Sequence, residues 1–223
     1  GHSGRQHSGP PPMGIQIADI AGGSLHSVIG ILAAVIERQR SGLGQYIDIS
    51  MTDCVVGLSS MAAAASLAGQ EKQGPEQSYL NGATFYDYYE TQDGRYLSIG
   101  SLEPQFLYGL AQILELPIVA EKGASLVTED RQVVKQAIKD KIKTQDFATW
   151  NAIFQQQDVC VEPVLKLDEA LDSQLAKDRA WVVSVPLQEG STKSEQQLAC
   201  PIKFSRSKIR YEFIGKPLGF DFL

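Results

Sequence analysis

Two carboxylates in this chain have neighbours that suit chemistry. Asp19 lies in Ala18-Asp19-Ile20-Ala21-Gly22-Gly23-Ser24, just before a long stretch of apolar periodicity. Glycines at such a place let a ligand approach the backbone closely. The N-terminus of the following helix offers unpaired N–H groups that can hold a developing oxyanion. A carboxylate beside those donors can take a proton from the carbon next to a carbonyl, or attack an activated acyl group as a nucleophile. Spacing alone equally suits a cap or turn aspartate. Glu103, in Gly100-Ser101-Leu102-Glu103-Pro104-Gln105-Phe106, falls between a strand and a helix, a frequent position for site residues. The same place also suits a structural carboxylate favoured by the helix dipole.

Other residues of interest read more plainly. Tyr79, Phe85, Tyr86, Tyr88 and Tyr89 crowd around one hairpin and suit core and sheet packing. His26 reads as a packing or surface histidine. Gly42-Leu43-Gly44-Gln45 leads into a strand and lacks a Lys-Ser/Thr ending, so it is a turn rather than a phosphate loop. Asp48, Asp53, Asp87 and Asp93 lack metal-ligand spacing, and no metal is expected.

The elements that must position these residues follow from periodicity. Leu25, Val28, Ile29, Leu32, Val35 and Ile36 make one buried helical stripe, ended by Gly42 and Gly44. Residues 46–50 alternate as a short strand. Ser50 and Asp53 suit a capping box for a helix over residues 51–68. After a polar loop, residues 84–90 and 95–100 form a hairpin around Asp93-Gly94. Pro104 suits the first turn of a helix reaching Leu114. Two amphipathic helices follow, one through Val133, Val134, Ala137, Ile138 and Ile142, the other starting near Asp146. Residues 159–165 read as a strand and 168–176 as a helix, and the tail from Trp181 alternates short strands and loops.

Composition narrows the function classes. Hydrophobic residues form 43% of the 223 and charged residues 21%, so a core can form without disulfides or metals. The net charge of −6, with no basic face, argues against nucleic acid as a partner. The longest apolar candidate, residues 54–68, falls short of the roughly 18 residues of a membrane span, so no membrane partner is expected. The cysteines, Cys54, Cys160 and Cys200, are far apart and odd in number, and read as buried thiols in a reducing cytoplasm. Residues 1–13, with His2, His7 and Pro10-Pro11-Pro12, read as a flexible lead-in or tag.

Taken in order, several segments resemble the family III CoA-transferases, and within them the α-methylacyl-CoA racemase branch. They are residues 14–24 around Asp19; Gly30-Ile31-Leu32-Ala33-Ala34 with Glu37-Arg38; and Gly42 to Asp53. Asn81-Gly82-Ala83, Phe85-Tyr86-Asp87, Asp93-Gly94-Arg95-Tyr96, Leu102-Glu103-Pro104-Gln105-Phe106, residues 158–165 and Phe204-Ser205-Arg206 continue the match. The resemblance implies an α/β fold with a partial Rossmann-like large domain and a small α+β domain. The expected divisions are 14–81 for the helical part of the large domain, 82–165 for the small domain, and 166–223 for a return segment.

The resemblance makes Asp19 the catalytic aspartate and Glu103 the glutamate that partners a catalytic histidine. It places Tyr79, Tyr86 and Leu102 around the acyl group, with Gly22 and Gly23 beside the substrate. Leu102-Glu103-Pro104-Gln105 is not the glycine-rich flap of many transferases, which favours the racemase branch. The substrate implied is an acyl-CoA thioester, coenzyme A entering only as part of it, and the assembly implied is a homodimer. The family's longer N-terminal half, with most CoA contacts and the histidine, has no counterpart in this sequence. The ending at Phe220-Asp221-Phe222-Leu223 also departs from the family's tail, so the chain reads as truncated at both ends. Three functions stand: α-proton exchange, acyl transfer through Asp19, and a non-catalytic remnant that dimerises.

Overall fold

The computed structural model describes residues 4, 5, 7–69 and 74–215. His2 and the ending from Lys216 lie outside the described residues. The chain divides into two compact units, Gly1–Pro163 and Val164–Leu223.

The first unit opens with a π-helical segment, Ile17–Leu25, that runs directly into α1, His26–Ser41. Its wider turn is visible in the side chains. Ser24 Oγ donates to the Asp19 carbonyl at 3.2 Å, and His26 Nδ1 lies 2.6 Å from the Ala21 carbonyl, both five residues back. Gly42, at φ 79°, ends α1 in the left-handed conformation and donates its N–H to the Arg38 carbonyl at 2.9 Å. α2 spans Met51–Leu58, with Ser50 accepting from the Asp53 N–H at 3.3 Å as the sequence predicts. The expected single helix over 51–68 is broken at Ser59, and α3 resumes over Ser60–Leu67. Ser59 Oγ bonds back to the Val55 carbonyl at 3.3 Å, competing with helix propagation after the flexible Gly57.

Three expectations for this region are corrected. The apolar stripe of α1 is not buried: Val28, Ile29, Leu32 and Ile36 are all exposed. Amphipathic spacing identifies a face that seeks a partner, and the described chain meets α1 at Gly30 through Ile47 and Ile49. Residues 46–50 run without ladder partners among the described residues, so they form no strand. The helix over Ile17–Ser41 is long and apolar enough to cross a membrane by length and composition. Gly22, Gly23, Ser24 and His26 interrupt its apolar run in the sequence and hid it. Length and composition do not separate a membrane span from a helix packing within a larger fold.

The rest of the unit is a three-stranded antiparallel sheet with helices. β1 (Asp87–Glu90) pairs with β2 (Tyr96–Ile99), and β2 with β3 (Val161–Pro163), in the order β1-β2-β3. Between β2 and β3 run α4 (Pro104–Leu114), α5 (Pro117–Lys122), α6 (Thr128–Ile142) and α7 (Phe147–Phe154). The core joins Phe85, Leu97 and Ile99 to Leu110, Leu114, Val134, Ile138 and Trp150. Asp146 caps α7 by accepting from the Thr149 N–H at 2.8 Å. α5, absent from the sequence expectation, follows Glu115, which reverses the chain at φ 55°.

The second unit holds α8 (Leu167–Asp172), α9 (Gln174–Asp178) and an antiparallel hairpin of β4 (Val182–Pro186) and β5 (Ser194–Leu198). The one helix expected over 168–176 is split at Ser173, whose extended backbone and hydroxyl cap α9 through the Ala176 N–H at 3.1 Å. Ala176 and Val185 are the buried apolar residues among its described residues. The cysteine reading is also corrected. Cys160 is exposed, and Cys54 and Cys200 are half-buried.

Candidate functional site

Asp19 is exposed in the π-helical segment, and its carboxylate has no hydrogen-bond or ion-pair partner among the described residues. The neighbouring Gly22 is the segment's buried residue. A Cβ there would lie 3.3 Å from the Met51 carbonyl oxygen and 3.3 Å from Val55, so glycine lets α2 seat closely on this turn, and a side chain would push it outward by a few tenths of an ångström. Gly23 packs in the same way against Met51. The sequence places Asp19 ahead of a helix; the structure places it inside the first turn of a continuous helical run. π-helical turns are rare and recur at functional sites, because the widened turn re-aims side chains.

Glu103 is the N-cap position of α4, with extended backbone, and its carboxylate makes no cap hydrogen bond. Pro104 follows at the first helical position, where its missing N–H removes no helical hydrogen bond. The loop before it is clamped by the turn that enters the neighbouring strand β3. The Gly100 N–H donates to the Cys160 carbonyl at 2.9 Å, and buried Ser101 Oγ donates to the Val159 carbonyl. Leu102 is half-buried against the core and its N–H donates to the Gly100 carbonyl at 2.8 Å.

Tyr86 belongs to this corner. A Cβ on Gly100 would come within 3.3 Å of its ring, so the ring lies directly over the glycine. Tyr79 is tied to Tyr86 through Thr84, whose hydroxyl donates to the Tyr79 carbonyl at 3.0 Å and accepts from the Tyr86 N–H at 3.1 Å. Tyr79 and Tyr86 are 46% and 38% exposed, whereas Phe85 and Tyr89 are each 2% exposed. The aromatic crowd is therefore split, with Phe85 and Tyr89 in the core and Tyr79, Tyr86 and Tyr88 outside it. Tyr86, Leu102 and Glu103 thus gather at one corner, with Tyr79 joined through Thr84.

Charge is arranged around the same corner. Although Cys160 is exposed, partial loss of hydration raises its thiol above the usual range, and the negative charges of Glu103, Asp158 and Glu162 raise it further. Burial alone would also raise the Asp87 carboxyl. Hydrogen bonds from Arg5, Lys135 and the Tyr88 N–H outweigh that and hold it below the usual carboxylate range. Arg5 grips Asp87 with two nitrogens at 2.7 and 2.6 Å. The hydrogen bond to Asp87 raises the Arg5 pKa. Residues 1–13 are thus not wholly a loose lead-in, since Arg5 is anchored on β1. Arg5 and Lys135 escaped sequence reasoning. A basic residue in a polar lead-in and a lysine on an amphipathic helix both read as solvated, and no local pattern marks them.

Among the described residues no group of three His, Cys, Asp or Glu side chains stands close enough to hold a metal ion. What the corner offers is a carboxylate beside aromatic and aliphatic walls, and Asp19 offers an unpaired carboxylate in a bared helical turn.

The family model for CoA-transferase family III matches residues 1–221. The chain belongs to CoA-transferase family III. Within that family it is 38% identical over 183 residues to the mouse (Mus musculus) alpha-methylacyl-CoA racemase, an alignment covering 81% of this chain and 48% of the racemase. It is 25% identical over 172 residues to the mouse succinyl-CoA:glutarate CoA-transferase, covering 75% of this chain and 39% of that protein. The chain therefore spans about half or less of these relatives' length. Its fold matches the crystal structure of a CAIB/BAIF family protein from Brucella suis with a TM-score of 0.70, at 23% identity, over 95% of this chain and 55% of that one. The family III fold is thus present, and the helices and small sheets described above are parts of it.

Proposed function

We propose that this chain handles acyl-CoA thioesters and exchanges the α-proton of a 2-methylacyl-CoA, with Asp19 as the acid/base. The observation that carries this reading is the Asp19 carboxylate itself, exposed and unpaired among the described residues in the π-helical turn beside buried Gly22. The greater similarity to a racemase than to a transferase supports it. In the reaction, an Asp19 oxygen takes the proton from Cα, and the electron pair of the broken C–H bond moves into an enolate whose charge rests on the thioester oxygen. Return of a proton to Cα restores the thioester. Inversion needs an acid on the opposite face of that planar enolate. Glu103 acts from the corner of Tyr86 and Leu102 by positioning that second group, and Tyr79, Tyr86 and Leu102 contact the acyl chain. Coenzyme A enters as part of the substrate, and the working assembly is a homodimer in the cytoplasm.

Transfer is the second reading, because an unpaired carboxylate is also a competent nucleophile. There Asp19 attacks the thioester carbonyl, forms a mixed anhydride and releases the CoA thiolate. Incubation with a 2-methylacyl-CoA in deuterated water separates the two. The exchange reading predicts deuterium at Cα with no Asp19 adduct. Hydroxylamine trapping of an acylated Asp19, without deuterium at Cα, supports transfer instead. A chain showing neither reaction is a non-catalytic family member.

A further inference from the structure

The segment that carries Tyr79 and Tyr86 has no regular secondary structure before β1, yet it is held in one shape. Gly82 adopts φ 80°, and the Asn81 and Ala83 N–H groups both donate to the Ser78 carbonyl, at 3.0 and 3.3 Å. The long-range tie comes from α6. Lys135 Nζ donates to the Gly82 carbonyl at 2.9 Å and pairs with Asp87 Oδ2 at 2.7 Å. It therefore grips the chain on either side of Thr84 and Tyr86, and Tyr79 is tied to that span through the Thr84 hydroxyl. Asp87, 8% exposed at its side chain, is also gripped by Arg5, so the anchor point is rigid. Tyr86 then lies against Gly100, in the loop that leads to Glu103.

We propose that Lys135 is a positioning residue that sets the acyl-group specificity of this site. By clamping Gly82 and Asp87 it fixes the Tyr79–Tyr86 wall against the Gly100–Glu103 loop. This rests on the acyl-CoA reading given above. Lys135 touches no substrate; it acts through the two tyrosines. A lysine at this position joins two acceptors 5 residues apart, and a neutral, non-donating side chain cannot join them.

The test compares the wild-type chain with Lys135→Met by calorimetric titration against a 2-methylacyl-CoA and against acetyl-CoA, alongside amide hydrogen exchange. Lys135→Met is expected to weaken the 2-methylacyl thioester about tenfold, the loss typical of one charged hydrogen bond. Acetyl-CoA, too short to lean on the tyrosines, should change less than about twofold on the same scale. Exchange at Asn81, Ala83 and Tyr86 should accelerate while α4 amides keep their protection. Unchanged exchange in this segment, or equal weakening of both thioesters, overturns the proposal. Should Lys135→Met fail to fold, Lys135→Gln, which keeps a donor but no charge, carries the same comparison. If the wild-type chain binds neither thioester, the acyl-CoA reading itself fails. The clamp is then judged by exchange alone, with acceleration in the segment supporting it and unchanged exchange refuting it.

Discussion

The Gly100 N–H donates to the Cys160 carbonyl at 2.9 Å, and this bond joins the loop entering α4 to the turn entering β3. Glu103 and Cys160, 57 positions apart in sequence, thereby share one electrostatic neighbourhood. Partial loss of hydration is the larger cause of the raised Cys160 thiol, and Glu103 is the first of the charges that add to it. A raised thiol pKa leaves less thiolate at neutral pH, so Cys160 should alkylate slowly despite its exposure. Replacing Glu103 by Gln removes one negative charge and should speed alkylation at pH 7.5 by roughly two- to threefold, the effect of one partly screened charge. Mass-spectrometric rates of iodoacetamide labelling across pH measure this. An unchanged rate would show that the two groups do not sense one another.

Asp87 predicts the response to acid. Its carboxyl is held below the unfolded value of about 3.9. The stability it contributes is therefore complete above that value and is lost as pH falls through it toward the folded one. Asp87→Asn should cost on the order of 2 kcal/mol at pH 7, because Arg5 and Lys135 lose their shared partner. The variant should also lose less of its remaining stability than wild type as pH falls below about 4, the unfolded carboxylate value. Urea melts at several pH values report both effects.

Gly100→Ala should disturb the site more than the fold. The added methyl would meet the Tyr86 ring at 3.3 Å, and Tyr86 is part-exposed and can swing outward. A stability loss of about 1 kcal/mol or less is expected, typical of mild overpacking that can relax. Binding of a 2-methylacyl-CoA should weaken severalfold while acetyl-CoA is spared. Calorimetric titration with both thioesters measures the difference.

Trp150→Phe tests the core. Trp150 is buried, and its indole N–H donates to the Ile142 carbonyl at 2.7 Å, closing the end of α6 onto α7. Phenylalanine leaves that carbonyl without its donor and opens space beside Phe154. The expected loss is about 2–3 kcal/mol from the orphaned acceptor and the cavity together. Chemical denaturation with an unchanged m-value would report it cleanly.

Much of the small sheet and its helices was legible because their signals are local. Pro104 opens α4, Asp146 caps α7, and Asp93-Gly94 turns the hairpin. Several misses depend on partners distant in sequence, and two are local. The α1 stripe has the right spacing but little of this chain against it. The alternating residues 46–50 lack a neighbouring strand to make them one. Ser59 and Ser173 break helices by bonding to nearby backbone, which periodicity does not register. At the site, Asp19 and Glu103 drew notice from their flanking glycines and proline. Lys135 and Arg5 matter only through Asp87, and that meeting exists only in three dimensions.

Asp19 as the group that moves the α-proton is open to one direct test. The direct measurement is deuterium incorporation at Cα of a 2-methylacyl-CoA incubated with the chain in deuterated water, compared with Asp19→Asn. The wild type should incorporate deuterium and the variant should lose about a hundredfold or more, the usual size of a general acid–base contribution, with an unchanged circular dichroism spectrum. Equal incorporation by both proteins, or none by the wild type, would contradict it.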